Sequence, residues 1–242
     1  MPFDPFQNTL PRARLIFPLD LPTKSAALNY VELLKGSVGF FKVGLELFSS
    51  QGPSIIEEIR SLAPEVGIFL DLKLHDIPAT ISRAMEAIAR LGVHMTTVHA
   101  QGGPEMLRAA VKAAGQTKVL AVTLLTSLAP AAMQELAPDY RAPGALALHL
   151  AKRAVATSCH GVVASPLETL LLREHLGDEP ILVTPGIRPS WAQVSSDDQS
   201  RTGTPAQALA DGASYLVVGR PIRDAKDPLK AAQRILAELA SS

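Results

Sequence analysis

The chain has 242 residues, and its 23 basic and 23 acidic side chains leave no formal net charge, so it offers no electrostatic footprint for nucleic acid or an anionic membrane surface. A hydrophobic content of 47% with 19% charged residues describes a well-packed, water-soluble protein, long enough for one large domain. The single cysteine, Cys159, excludes an internal disulfide and fits a reducing compartment.

From the amino terminus, Met1 to Leu10 lacks the basic start and apolar core of a secretory signal, and no later apolar run approaches the roughly 20 residues that span a bilayer. The expected location is the cytoplasm. Short apolar or β-branched runs then recur, each closing on a polar or glycine-containing turn: Arg14–Asp20, Phe40–Leu45, Gly67–Leu72, Met95–Ala100, Lys118–Leu124, Gly161–Ala164, Ile181–Thr184 and Tyr215–Val218. Alanine- and leucine-rich amphipathic stretches lie between them, among them Ser54–Leu62, Ile77–Leu91 and Pro104–Ala114. The longest interval follows the fifth run, where Ala129–Leu150 is expected to hold two helical pieces. Val194–Arg201, rich in Ser and Asp, reads as the most loop-like stretch. Eight strands alternating with helices predict an α/β fold, a single (β/α)8 TIM barrel over residues 1–242, with no compositional break for a second domain.

In such a barrel the active site lies at the carboxyl ends of the strands. The residues expected there are Asp20, Lys42, Asp71, Lys73, Thr126, Pro185 and Arg220, a polar and charged set that follows apolar runs. The third run is the most informative: Asp71-Leu72-Lys73-Leu74-His75-Asp76 places an acid, a base and a second acid within six residues. On a strand, alternation puts Asp71 and Lys73 on one side. Packing does not explain such a cluster, and chemistry does. The last two runs end in Gly186-Ile187-Arg188 and Gly219-Arg220. The loops after strands 7 and 8 are where many barrels bind phosphate, with glycine admitting the anion to the backbone and arginine adding a bidentate donor. A phosphorylated ligand is expected.

Asp71-x-Lys73-x-x-Asp76-Ile77-Pro78-x-Thr80 resembles the signature of the orotidine 5′-phosphate decarboxylase family, of bacterial type. Five further segments match in order: Leu19-Asp20, Lys42 to Glu46, Val122 to Ser127, Thr184 to Pro189, and Val218 to Pro221. The resemblance implies conversion of orotidine 5′-monophosphate to uridine 5′-monophosphate and carbon dioxide, the last step of de novo pyrimidine biosynthesis, with no metal or organic cofactor. It implies that Lys73 stabilises and protonates the carbanion at C6 of the pyrimidine, with Asp71 near the departing carboxylate and Lys42 beside Asp71. It also implies a homodimer in which Asp76, Ile77 and Thr80 complete the partner's site. Asp20 and Lys42 correspond to ribose contacts and Thr126, with Ser127 beside it, to the pyrimidine contact. Arg188, Gln199, Gly219 and Arg220 match the phosphate grip, under a lid from Pro189 to Thr202, and Pro185 is a further substrate-binding residue. That lid departs from the family pattern at Ser190-Trp191-Ala192-Gln193-Val194, which makes Gln193 a competitor of Gln199.

Two other functions are weighed. Magnesium-dependent sugar-phosphate enzymes share the Asp-x-Lys-x-x-Asp core, but carry an acidic metal ligand where this chain has Lys42, and a lysine there repels a divalent cation. A purely regulatory nucleotide-binding barrel would be expected to lack Lys73 or one of the aspartates. His75, His94, His99, His149, His160 and His175 show no metal-ligand spacing and read as structural or exposed. Cys159 reads as a buried thiol, and Trp191 as either a lid residue or an exposed loop aromatic.

Overall fold

The computed structural model describes residues 5–7, 10–127, 135, 137, 139–140, 142–192 and 201–240. Eight parallel strands pair in sequence order, and the last pairs with the first to close the barrel. They are β1 (Leu15–Pro18), β2 (Phe40–Gly44), β3 (Gly67–Leu74), β4 (Met95–His99), β5 (Lys118–Val122), β6 (Gly161–Val163), β7 (Ile181–Thr184) and β8 (Tyr215–Val217). The helices among the described residues are α1 (Lys24–Leu34), α2 (Leu45–Gln51), α3 (Ser54–Leu62), α4 (Pro78–Arg90), α5 (Gly103–Ala113), α6 (Pro143–Ala156), α7 (Pro166–Leu176), α8 (Pro205–Ala210), α9 (Arg220–Arg223) and α10 (Pro228–Ala240).

Period-2 alternation along the strands sorts the core into two layers. Ile16, Phe40, Phe69, Met95, Leu120, Val183 and Val217 point into the barrel and pack on one another. Their neighbours, such as Phe17, Phe41, Ile68, Leu70 and Val119, face outward against the helices. Phe6 lies against Phe40 with ring centroids 5.7 Å apart and edge-on to Tyr215 and His94, among the aromatics of the amino-terminal end of the barrel. One step above this apolar floor the inward positions turn polar, with Lys42 after Phe40 and Asp71 after Phe69. The barrel mouth is built by the same alternation that fills its base.

Most sequence-expected strands end one or two residues early, because the chain turns into a helix or loop once the ladder is complete. Leu45 starts α2, and Ala100 enters the 3-10 turn Ala100–Gly102. Ile77 is extended and caps α4, so that helix begins at Pro78, whose fixed φ suits the first helical position. The expected helical region at Ala129–Leu150 has its second piece at α6, which runs on to Ala156; most of the first piece lies outside the described residues. β3 departs the other way and continues to Leu74, with an irregularity against β4. Among the described residues no helix is long and apolar enough to cross a membrane.

Candidate active site

A cavity of about 800 Å³ opens at the carboxyl ends of the strands. Asp20, Lys42, Asp71, Lys73, Thr126, Pro185, Arg188, Gly219 and Arg220 all line it, so nine of the sequence-expected residues meet in one place. Five cationic side chains (Lys42, Lys73, Arg188, Arg220 and Arg223) face two carboxylates (Asp20 and Asp71), an excess of three positive charges in a chain whose net charge is zero. Such a balance favours an anionic ligand over a cationic one.

Asp71 is its electrostatic centre. Lys73 Nζ lies 2.7 Å from Asp71 Oδ2, and Lys42 Nζ lies 3.5 Å from the same oxygen and 3.1 Å from Asp20 Oδ1. Thr97 on β4 donates its hydroxyl to Asp71 Oδ1 at 2.9 Å and accepts the Lys73 backbone N–H at 2.9 Å. Burial pushes the Asp71 carboxyl upward, but the ammonium groups of Lys42 and Lys73 and these hydrogen bonds outweigh it and hold the group below the ordinary carboxylate range. Burial likewise pulls Lys42 down, and Asp71 and Asp20 reverse that and hold it above the ordinary lysine range. The array keeps Lys42 and Asp71 charged at neutral pH. Gly44 makes room for it, since a Cβ there would meet Asp20 Oδ1 at 3.0 Å and Lys42 Nζ at 3.2 Å.

The arginine-bearing side of the cavity follows β7 and β8. Gly186 has φ +79°, a left-handed conformation that suits glycine and turns the chain so that Arg188 faces the cavity. Gly219 leads into α9, which carries Arg220 and Arg223 on the cavity wall. Arg223 was not singled out from sequence. It hydrogen-bonds the Asp20 carbonyl at 3.3 Å and pairs with Asp224, while the Tyr30 hydroxyl donates to the Arg223 carbonyl at 2.7 Å.

Asp76, Ile77 and Thr80 are not brought into this chain's cavity. They lie at the start of α4, where Asp76 Oδ1 accepts the Ile77 N–H at 2.6 Å and Ile77 is 65% exposed. Gln193 and Gln199 fall outside the described residues. Trp191 packs against the core and donates to Glu238 of α10 at 2.5 Å, with the Arg234 guanidinium 4.4 Å from its ring centroid. At the far end of the expected lid, buried Arg201 pairs with buried Glu168 at 2.5 Å and donates to the Leu125 carbonyl at 2.9 Å. Glu168 is held by the capping box of α7, its second oxygen accepting the Ser165 N–H at 3.1 Å. Sequence reading missed this pair, although Ser165-Pro166-Leu167-Glu168 carries the capping signal.

Two histidines have structural roles. His94 and His160 accept the N–H groups of Ile68 and Val119 at 3.0 and 3.1 Å. His75 and His99 lie with ring centroids 5.5 Å apart, and burial, then His75 and Lys73, lower His99 below its ordinary value. Burial raises the Cys159 thiol to about 11, so it stays protonated and unreactive.

A model of the orotidine 5′-phosphate decarboxylase / HUMPS family matches residues 13–235. The chain is 48% identical over 237 residues to the orotidine 5′-phosphate decarboxylase of Desulfosudis oleivorans, covering 96% of this chain and 95% of that one. It is 46% identical over 230 residues to that of Anaeromyxobacter dehalogenans, covering 95% and 99%. Among solved structures, the orotidine 5′-phosphate decarboxylase of Lactobacillus acidophilus superposes with a TM-score of 0.80 at 38% identity, over 93% of this chain and 98% of that one.

Proposed function

The chain belongs to the orotidine 5′-phosphate decarboxylase / HUMPS family, and we propose that its Lys42–Asp71–Lys73 array decarboxylates orotidine 5′-monophosphate without a metal or organic cofactor. It is a carboxy-lyase of pyrimidine biosynthesis, forming uridine 5′-monophosphate and carbon dioxide. The observation that carries the mechanism is the placement of Lys73 Nζ, 2.7 Å from a buried carboxylate, in a cavity with an excess of cations.

When the C6–carboxylate bond breaks, carbon dioxide departs and the electron pair stays on C6, in the ring plane and without a neighbouring carbonyl to delocalise it. Lys73 presents a positive charge to that carbon and then a proton: an N–H bond breaks, a C6–H bond forms, and the neutral amine regains its proton from solvent. Asp71 faces the departing carboxylate and holds Lys73 in place. Lys42 keeps Asp71 ionised, and with Asp20 serves the ribose hydroxyls. Thr126 serves the pyrimidine, and Arg188, Gly219 and Arg220 the phosphate, with Gln199 or Gln193 as a further phosphate contact; Pro185, which has no N–H to donate, lines the substrate cavity. Binding energy from the remote phosphate is then available to hold the reacting ring against Lys73.

The donor set supports the metal-free reading. Lys42 Nζ fills the gap between Asp20 and Asp71, at 3.1 and 3.5 Å, where a divalent cation would have to sit. Exposure of Ile77, together with the position of Asp76 and Thr80 outside this chain's own cavity, supports a homodimer in which the three residues complete the partner's site. A single-domain reading of residues 1–242 is supported by the closed ladder, and a cytoplasmic setting by the lone thiol. The test is turnover of orotidine 5′-monophosphate, followed by loss of its absorbance in excess chelator. Activity is expected to persist there and to vanish in Lys73→Ala, which should still bind uridine 5′-monophosphate. Collapse under chelator with recovery in magnesium overturns the metal-free reading, and near-normal turnover by Lys73→Ala overturns the role of Lys73.

A further inference from the structure

We propose that Thr97 is the positioning residue that locks Asp71 and Lys73 into their reactive geometry, an inference that rests on the reading of Lys73 as proton donor. The reason lies in the pairing of β3 with β4. Phe69 is opposite Met95 and Leu70 opposite Thr96, yet the next pair is Leu74 with Val98. Four steps along β3 therefore match two along β4, so Asp71, Leu72 and Lys73 together oppose the single residue Thr97. A bulge of this kind removes backbone groups from the ladder and re-aims side chains. Here it gathers two catalytic residues at one point of the barrel mouth.

The bulge has a cost that Thr97 offsets. Lys73 has φ +50°, a left-handed conformation that is uncommon for a residue with a side chain. Its N–H has left the strand ladder and would be orphaned in a partly buried setting. Thr97 Oγ1 accepts that N–H at 2.9 Å. The hydroxyl has one proton of its own, and Asp71 Oδ1, 2.9 Å away, receives it, since a carboxylate only accepts. Lys73 Nζ then returns to the other oxygen of Asp71 at 2.7 Å.

The three contacts close a ring: Lys73 backbone to Thr97, Thr97 to Asp71, and Asp71 to the Lys73 ammonium. The ring fixes both ends of the lysine side chain and the plane of the carboxylate. Thr97 is fully buried and does not line the cavity, so it touches the reacting atoms only through its two partners. Removing its hydroxyl should therefore affect the chemical step and leave substrate affinity alone.

Thr97→Val keeps the shape and β-branching of the side chain and deletes the hydroxyl, while Thr97→Ser keeps the hydroxyl and deletes the methyl. Thr97→Val is expected to lower kcat by about 10- to 100-fold with KM for orotidine 5′-monophosphate within about threefold of the parent, and Thr97→Ser to retain kcat within about threefold. An unchanged kcat in Thr97→Val, a loss confined to KM, or a Thr97→Ser variant as impaired as Thr97→Val overturns the proposal. If Thr97→Val does not fold, Thr97→Cys, whose thiol is a weak donor and acceptor, is held to the same criteria. Lys73→Ala run in parallel separates the two readings. A dead Lys73→Ala beside a fully active Thr97→Val removes only the positioning role, whereas an active Lys73→Ala removes the proton-donor reading beneath it.

Discussion

Replacing Lys42 with methionine removes the cation shared by two carboxylates while keeping an unbranched apolar stem in the barrel mouth. At 3.5 Å from Asp71, and with an effective dielectric of about 20, the lost attraction is on the order of 5 kcal/mol before desolvation is counted. The 3.1 Å contact with Asp20 adds at most about 1 kcal/mol, because Asp20 is half exposed and screened. Breaking a buried pair by removing one partner typically costs 3–5 kcal/mol; Lys73 stays at 2.7 Å and absorbs part of that, so about 3 kcal/mol is expected near pH 8. The pH dependence gives the sharper test. Asp71 is held below its ordinary value in the folded protein, so its contribution is fully present above the unfolded carboxylate range and is lost as pH falls through the lower folded value. Without Lys42 the burial effect is less opposed, the carboxyl rises, and the variant takes up a proton at a pH where the parent remains ionised. The deficit must therefore shrink toward about pH 4.5. Lys42 is itself raised, so its contribution persists below the unfolded lysine value and is lost only at higher pH, which leaves the deficit flat between about pH 6 and 9. Urea unfolding of parent and variant at about pH 4.5, 6 and 8 measures the difference directly. A deficit below about 1 kcal/mol near pH 8, or one that grows as pH falls, would refute the electrostatic account.

Arg220→Ala should weaken uridine 5′-monophosphate by about 30-fold or more and leave uridine nearly unchanged, as calorimetric titration of both ligands would report; equal losses contradict a phosphate role. Glu168→Gln leaves the buried Arg201 guanidinium without its counter-charge and should cost about 3 kcal/mol in urea unfolding, whereas a cost below about 1 kcal/mol would mean that solvent reaches the pair. Mixing Asp76→Ala with Lys73→Ala protein should restore about one quarter of the parent activity per subunit, because half of randomly exchanged dimers are hybrids and each hybrid has one intact site. No recovery after verified subunit exchange counts against Asp76 acting across an interface.

What the sequence made legible, and what it did not, divides by how far a residue's partner lies along the chain. The barrel was readable because each strand announces itself locally, and Phe40 before Lys42 or Phe69 before Asp71 already shows apolar base giving way to charged mouth. Glycine and arginine after β7 and β8 were readable for the same reason. Thr97 was not, because its meaning is the register of β3 on β4. Within Met95-Thr96-Thr97-Val98-His99 it looks like an ordinary β-branched strand residue, and only the two-residue slip opposite it turns its hydroxyl into a backbone substitute. The same holds for Arg201, whose partner Glu168 lies 33 residues earlier in a different βα unit, so that a stretch reading as polar loop ends in a buried ion pair. Arg223 was hidden because α9 is a single turn with no periodicity to place its face. Local pattern thus locates the charges, and cross-strand register decides which of them are held still. The simple alternation argument put Asp71 and Lys73 on one side, but the observed cause is different. Lys73 leaves regular strand geometry at φ +50°, and its ammonium reaches Asp71 across a bulge that Thr97 holds in place.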